Sequence, residues 1–233
     1  MTKEYKSKKI KVLTVVGTRP EIIRISEVVK ELERHTDHIL VHTGQNYDYE
    51  LSQIFFDDLG LRKPDYFLES VGKTATETVG NIISKMDALL EQTKPDAFLD
   101  LGDTNSCMSA YAAKRRKIPI FHIMAGDRCF DFRVPEEVNR RLIDHMSDIN
   151  MPQSELGRLN LLNEGFPTDR VIKLGSPMYE VLNAHKKEIS NSKIIQNLGL
   201  TKNKYFVFSV HREDHVDTFR NLKRVAEILK EVS

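Results

Sequence analysis

Lys11-Val12-Leu13-Thr14-Val15-Val16, followed at once by Gly17-Thr18-Arg19-Pro20-Glu21, is the stretch on which the fold turns. A short apolar run rich in β-branched side chains, closed by a glycine, has the length and composition of a buried strand. Pro20 then falls in the first turn of a helix, where a missing N–H costs nothing. Ile22, Ile23, Ile25, Val28, Val29 and Leu32 continue at helical spacing. The unit is strand, tight turn, amphipathic helix.

The chain repeats that unit outward from this point. A strand at 38–43 precedes a helix near 49–59, and a helix near 75–92 carries Ile82, Ile83, Met86, Leu89 and Leu90 on one face. Strand 97–101 (AFLDL) leads into a helix at 105–116, and strand 118–123 (IPIFHI) into a helix at 135–147. A short strand near 149–151, a helix near 154–164 and a strand at 171–174 complete the series. Continuous apolar strands alternating with amphipathic helices predict an α/β fold with a parallel sheet covered on both faces. In such folds ligands bind outside the carboxyl ends of the strands.

After Gly175-Ser176-Pro177 the composition changes, and 183–197 is polar. The layout is therefore a flexible N-terminus over 1–9, a first domain over 10–180, a linker over 181–200 and the start of a second domain over 201–233. That last part reads as strand 205–210 (YFVFSV), the run His211-Arg212-Glu213-Asp214-His215, and a helix with Phe219, Leu222, Val225, Ile228, Leu229 and Val232. One strand and one helix do not bury their own apolar faces, so the second domain is expected to be incomplete.

Composition narrows the function classes. Lys+Arg 35 against Asp+Glu 34 in 233 residues lacks the basic excess of a nucleic-acid or membrane-surface protein. With 40% hydrophobic residues a sizeable core is expected. Cys107 and Cys129 are too few for a disulfide scaffold and are read as reduced, which points to the cytoplasm. No run approaches the ~20 apolar residues of a membrane span, and the N-terminus lacks a signal-peptide pattern.

Four places carry residues suited to chemistry. Gly17 to Glu21, with Arg24 beyond, is a strand-to-helix turn where backbone N–H groups and the helix dipole favour a phosphate, and Arg19 adds a forked donor. It is neither a G-x-G-x-x-G nor a Walker A sequence, which argues against nicotinamide and ATP. Asp103, in Leu101-Gly102-Asp103-Thr104, is either a plain helix cap or an acid pointing into the same crevice. Glu136 and Glu137 follow Pro135 in a helix's first turn, as dipole complements or as an acid/base carboxylate. His211 and His215 are spaced i, i+4 without the H-E-x-x-H pattern or a third ligand, so His211 is better suited to proton transfer or to a phosphate than to zinc. No metal or cofactor is expected.

Together, GTRPEIIR, HTGQNYDYEL, LGDTNS, AGDRCFD, VPEEVNRRLIDH, LGSPM and HREDHVDT resemble the non-hydrolysing UDP-N-acetylglucosamine 2-epimerases, in unbroken order from about residue 10. IFFDDLG, RCFD and the HRE–VD pattern look closest to the branch that forms UDP-N-acetyl-L-fucosamine for capsule and O-antigen. The resemblance implies a GT-B-like pair of Rossmann-like domains, usually in a homodimer, with the site between them. It implies a UDP-N-acetylhexosamine substrate, elimination of UDP to a glycal, and re-addition with C2 protonated from the opposite face. Carried over by motif, Arg19 and Arg24 bind the nucleotide or its phosphates, Asp103 and Glu136 are acid/base carboxylates, and His211 acts at the diphosphate or in proton transfer.

Two departures stand out. The family's H-x-E-A-G reads His122-Ile123-Met124-Ala125-Gly126, so a catalytic glutamate is replaced by a side chain that moves no proton, with Asp127 nearby. The family's later S-G-G/E-E region is absent. These departures fit an alternative, an inactive truncated remnant or sugar-nucleotide-binding module. A two-Rossmann glycosyltransferase shares the expected fold but not this set of motifs.

Overall fold

A computed structural model describes residues 9–44, 49–210 and 218–232. The N-terminal segment expected to be flexible therefore lies, save for Lys9, outside the described residues. The chain divides into two compact units, 1–186 and 187–233.

The first unit is built on a parallel sheet of six strands: β1 (Lys11–Val16), β2 (Asp37–His42), β3 (Tyr66–Phe67), β4 (Ala97–Leu101), β5 (Ile120–Ile123) and β6 (Ile149–Met151). Their spatial order is β3-β2-β1-β4-β5-β6, and every pairing is parallel. The first helices are α1 (Arg19–His35), α2 (Tyr49–Asp58), α3 (Ala75–Thr93), α4 (Ala110–Arg115), α5 (Pro135–Met146), α6 (Glu155–Asn163) and α7 (Pro177–Ala184).

Successive side chains of a strand point to opposite faces, and β1 shows it. Leu13 and Val15 pack with Met86 and Leu90 of α3, Ala112 and Ala113 of α4, and Ile143 of α5. Val12 and Val16 pack with Ile22, Ile25 and Val29 of α1 and with Phe56 of α2. Both faces are thus covered, as the unbroken apolar runs predict, and each fully buried Leu, Ile or Phe contributes roughly 1.5–3 kcal/mol.

Three elements differ from the sequence expectation. The helix expected over 105–116 begins as a 3₁₀ turn, Asn105–Ser109, before α4. The strand expected at 171–174 is reduced to a bridge between Asn150 and Val171, with Leu174 N–H still donating to the Pro152 carbonyl at 3.1 Å. β3 is only two residues long, too short for a periodicity to reveal it.

In the second unit, α9 (Ile194–Asn197) and α10 (Phe219–Val232) are helical, and α8 (Lys186–Asn191) begins at the boundary. Residues 205–210 form no strand. A strand exists only by pairing, and among the described residues no neighbouring strand pairs with this run, so Phe206 and Val207 stay 89% and 87% exposed.

Candidate functional site

Strand order reverses between β1 and β4, the point at which the chain leaves toward opposite faces of the sheet and a crevice opens outside the carboxyl ends. Three turns meet there: Gly17-Thr18 after β1, Gly102-Asp103-Thr104 after β4, and Met124 to Asp127 after β5. They are packed without slack. A Cβ on Gly17 would lie 1.9 Å from Ser106 Oγ and 2.2 Å from Thr43 Oγ1, and those two hydroxyls are themselves hydrogen-bonded at 3.0 Å.

The turn after β1 corrects the sequence reading. Two of its backbone N–H groups are not free for a phosphate, because the Glu21 carboxylate turns back and accepts from Gly17 N–H at 2.7 Å and Thr18 N–H at 2.8 Å. Glu21 is 3% exposed, and burial raises its pKa against these hydrogen bonds. Its other oxygen accepts from the Thr104 hydroxyl, which locks the start of α1 to the turn after β4. Beyond these two groups, side-chain charge remains for an anion. Arg19 is exposed, Arg24 is half-buried, and neither has an ion-pair partner among the described residues. Five positions apart on a helix, the two point about 140° from one another around the axis, so they do not form one clamp.

Asp103 is not the helix cap. Thr104 fills that role, its hydroxyl accepting from Ser106 N–H at 3.2 Å. Asp103 Oδ2 instead accepts from Arg140 at 2.6 and 3.0 Å, and Asn139 Nδ2 donates to the Asp103 carbonyl at 3.0 Å. Both partners lie on α5, so the carboxylate turn and that helix are joined. Glu136, in the first turn of α5, is exposed.

Glu137 takes the buried place. Its carboxylate accepts from Cys129 N–H at 2.9 Å, Arg140 at 2.8 Å and Arg141 at 2.9 Å. Burial works to raise its pKa, but these hydrogen bonds and the Arg140 charge overcome it and hold the carboxyl at about 2.

These contacts belong to a ring of alternating charge. Asp103 pairs with Arg140, Arg140 with Glu137, Glu137 with Arg141, Arg141 with Glu164, and Glu164 with Arg128. Arg128 pairs with Asp144, and Asp144 with His122 at 2.8 Å. His122 Nε2 closes the ring on the Gly102 carbonyl at 2.9 Å, one residue before Asp103. Burial pulls the His122 pKa down, the bond and charge of Asp144 push it up, and the net shift is upward.

Three residues near these turns, Met124, Asp127 and Asp100, are not part of the ring. Met124 has φ +66 and sits half-buried against the core, its N–H donating to the Met151 carbonyl at 3.0 Å. Non-glycine residues enter that region at a cost of about 1–2 kcal/mol. Nearby Asp127 accepts from Gln153 at 2.7 Å, and burial raises its pKa. Asp100, inside β4, was not singled out by sequence reasoning. It is 1% exposed, and no side chain among the described residues donates to either carboxyl oxygen. Burial pushes its pKa up to about 7, with His122 pulling down and Glu21 and Asp103 pushing up. The available signal was an acid in the middle of the apolar run AFLDL.

His211 and the motif around it lie outside the described residues. Among those described, no three His, Cys, Asp or Glu side chains are grouped to hold a metal ion, and no helix is long and apolar enough to cross a membrane.

The strand order and the crevice define a doubly wound α/β domain of the Rossmann class, a fold that binds nucleotides at this switch point. A family model described as UDP-N-acetylglucosamine 2-epimerase matches residues 30–233. A UDP-N-acetylglucosamine 2-epimerase homolog of Methanococcus maripaludis is 40% identical over 219 residues, covering 93% of this chain and 61% of its own length. The solved UDP-N-acetylglucosamine 2-epimerase of Rickettsia bellii superposes with a TM-score of 0.87 at 52% identity, covering 96% of this chain and 60% of its own. That of Methanocaldococcus jannaschii, in complex with UDP-GlcNAc and UDP, gives 0.88 at 32% identity, with 96% and 62% covered. The chain belongs to the UDP-N-acetylglucosamine 2-epimerase family and spans about three fifths of the length of these relatives.

Proposed function

We propose that this chain is the crevice-bearing part of a cytoplasmic UDP-N-acetylhexosamine 2-epimerase that works by elimination and re-addition of UDP. In the forward step a base takes the C2 proton, the C1–O bond breaks, and its electron pair leaves with UDP, giving a glycal. Re-addition of UDP at C1 with a proton delivered to the other face of C2 completes the inversion. Asp103 and Glu136 are the carboxylates for proton transfer. Arg19 and Arg24 meet the anionic nucleotide from different directions, and His211 acts at the departing diphosphate. The UDP-N-acetyl-L-fucosamine branch, a role in surface-polysaccharide precursors and a homodimer follow from the motifs quoted above.

The observation that carries this reading is the joining of three strand-end turns into one crevice. Glu21 ties the start of α1, the helix that carries Arg19, to Thr104, and Arg140 ties Asp103 to α5, the helix that carries Glu136. The UDP-GlcNAc bound in the related archaeal structure supports the substrate class.

Deuterium exchange into C2 of UDP-N-acetylglucosamine tests it: incorporation that is lost in Asp103→Asn is the expected result, and no exchange in the wild type removes the epimerase reading. Met124 favours a second reading, a sugar-nucleotide-binding module without turnover, since a thioether moves no proton. Calorimetric binding of UDP-N-acetylglucosamine without exchange, together with exchange appearing in Met124→Glu, selects that second reading.

A further inference from the structure

His122 is fully buried, yet both ring nitrogens are engaged: Nδ1 at 2.8 Å from Asp144 Oδ1 and Nε2 at 2.9 Å from the Gly102 carbonyl. A carbonyl oxygen only accepts, so Nε2 carries a proton. Nδ1 carries one too unless Asp144 is protonated. Arg128 argues against that exception, because its guanidinium, 0% exposed, lies 2.7 Å from Asp144 Oδ2, and Gly126 N–H donates to the same oxygen at 3.2 Å. An ionised Asp144 between two cations satisfies every atom of the group.

The contacts converge on the peptide before Asp103. Gly102 has φ +91, a conformation that leaves its peptide groups without a regular ladder. Its N–H donates to the Ile123 carbonyl at 3.2 Å and its carbonyl accepts from His122, so β5 holds both ends of the residue. Asp144 meanwhile anchors the turn after β5 through Gly126 N–H and Arg128. A buried ion pair of this kind is often no more stabilising than an apolar pair of the same volume. What the apolar pair lacks is direction.

We propose that His122 is a positioning residue: as an imidazolium bridging the Gly102 carbonyl and Asp144, it sets the Asp103 turn against α5 so that Asp103 meets Arg140. Its relevance to chemistry rests on Asp103 acting as proposed above. The groups facing His122 are Asp100 on β4, Asp144 on α5 and the Gly102 carbonyl in the turn, with Arg128 behind Asp144. Among the described residues neither Asp103 nor Glu136 hydrogen-bonds the ring, which acts through the Gly102 peptide and α5.

The test uses nuclear magnetic resonance on the full chain. At pH 7 both imidazole nitrogens of His122 are expected to carry protons; a neutral ring with one bare nitrogen overturns the proposal. The Arg140 Nε–H, bonded to Asp103, is expected to be protected in the wild type. In His122→Gln it should exchange at least about tenfold faster, the factor that the loss of one charge-assisted hydrogen bond brings. A His122→Gln chain that stays folded with Arg140 unchanged overturns positioning and leaves an ordinary core contact. If that variant does not fold, Asp144→Asn keeps the shape and removes the charge, and the same Arg140 signal decides. Binding of UDP-N-acetylglucosamine is measured in parallel: failure of the wild type to bind ends the reading of the site, while the Arg140 signal still answers for His122.

Discussion

Asp100 and Asp144 are both fully buried aspartates beneath the same crevice, with His122 as a common neighbour. They resolve the same physical problem in opposite ways. Asp144 accepts from His122, Arg128 and Gly126 N–H, and is one link of a closed ring of charge. Asp100 accepts from no side chain described, and its carboxyl is pushed up to about 7. Depth alone does not set the charge of a buried acid; the donors within reach do.

The largest expected effect comes from breaking the paired side. Asp144→Ala strands His122 as a buried cation and leaves Arg128 held by Glu164 alone, and removing one partner of a buried pair typically costs about 3–5 kcal/mol. Urea unfolding of the full chain, read at the β4 and β5 amides, measures it. A loss below about 1 kcal/mol would mean that water reaches these cations and that the ring is not sealed.

The unpaired side gives the next effect, and its sign is unusual. Asp100 keeps its proton in the folded chain up to about 7, whereas the unfolded chain releases it near 3.8. The folded state therefore binds the extra proton between those values. Stability is unaffected below about 4, falls as pH rises toward 7, and stays lowered above it, by up to about 4 kcal/mol at ~1.4 per pH unit. His122 acts in the same direction: raised from 6.5, it contributes stability that is present below 6.5 and lost as pH climbs through its folded value. Asp100→Asn is expected to reduce the slope between pH 4 and 7, leaving the shares that Glu21, Asp127 and His122 contribute in the same direction. An unchanged slope in that variant assigns the effect to another acid, with Glu21 the first to test.

This pair of residues also marks how far the sequence was legible. β1, β2 and β4 to β6 were readable because each is a short apolar run that a sheet covered on both faces requires. The run 205–210 has the same composition and forms no strand, because composition does not supply a pairing partner. Position at a strand end singled out Asp103 and Arg19, but not their state. Asp103 meets Arg140 across 37 residues, and Glu21 fills the turn that its own helix seemed to leave open. Arg140, so distant from Asp103 in sequence, leaves no local pattern, whereas Thr18 and Glu21 stand at the spacing of a capping box, a local signal for the filled turn. Within the ring, the Glu137–Arg140 and Glu137–Arg141 links, spaced i, i+3 and i, i+4 on α5, were written along the chain.

A steric variant separates geometry from charge. Gly17→Ala places a methyl group within 1.9 Å of Ser106 Oγ, in contact with the turns after β2 and β4 but not with the ring. Overpacking of this kind costs about 1–3 kcal/mol, and the effect is expected to be flat with pH. A pH-dependent loss would show that the Thr43–Ser106 contact is coupled to Glu21 or Asp100, and that the two regions are not independent.

The smallest effect is the control that gives the others their meaning. Arg34 and Glu31 form a pair one turn apart on α1 and belong to the same residue types as Arg141 and Glu137. Their side chains are 66% and 57% exposed, while Glu137 is 0% exposed. Water already solvates both surface charges, so Arg34→Ala exchanges one hydrated state for another and releases a long side chain from restraint. Such pairs contribute about 0.3–0.5 kcal/mol on a helix, less in salt. Arg141→Ala, by contrast, leaves Glu137 buried with one donor fewer and also uncovers Phe130 and Phe132, over whose rings the guanidinium lies at 5.8 and 5.0 Å. Unfolding of both variants at low and high salt is therefore expected to differ in size and in salt response. Equal losses would mean that Arg141 is solvated like Arg34, and the ring would then be a string of surface pairs rather than the frame that holds Asp103.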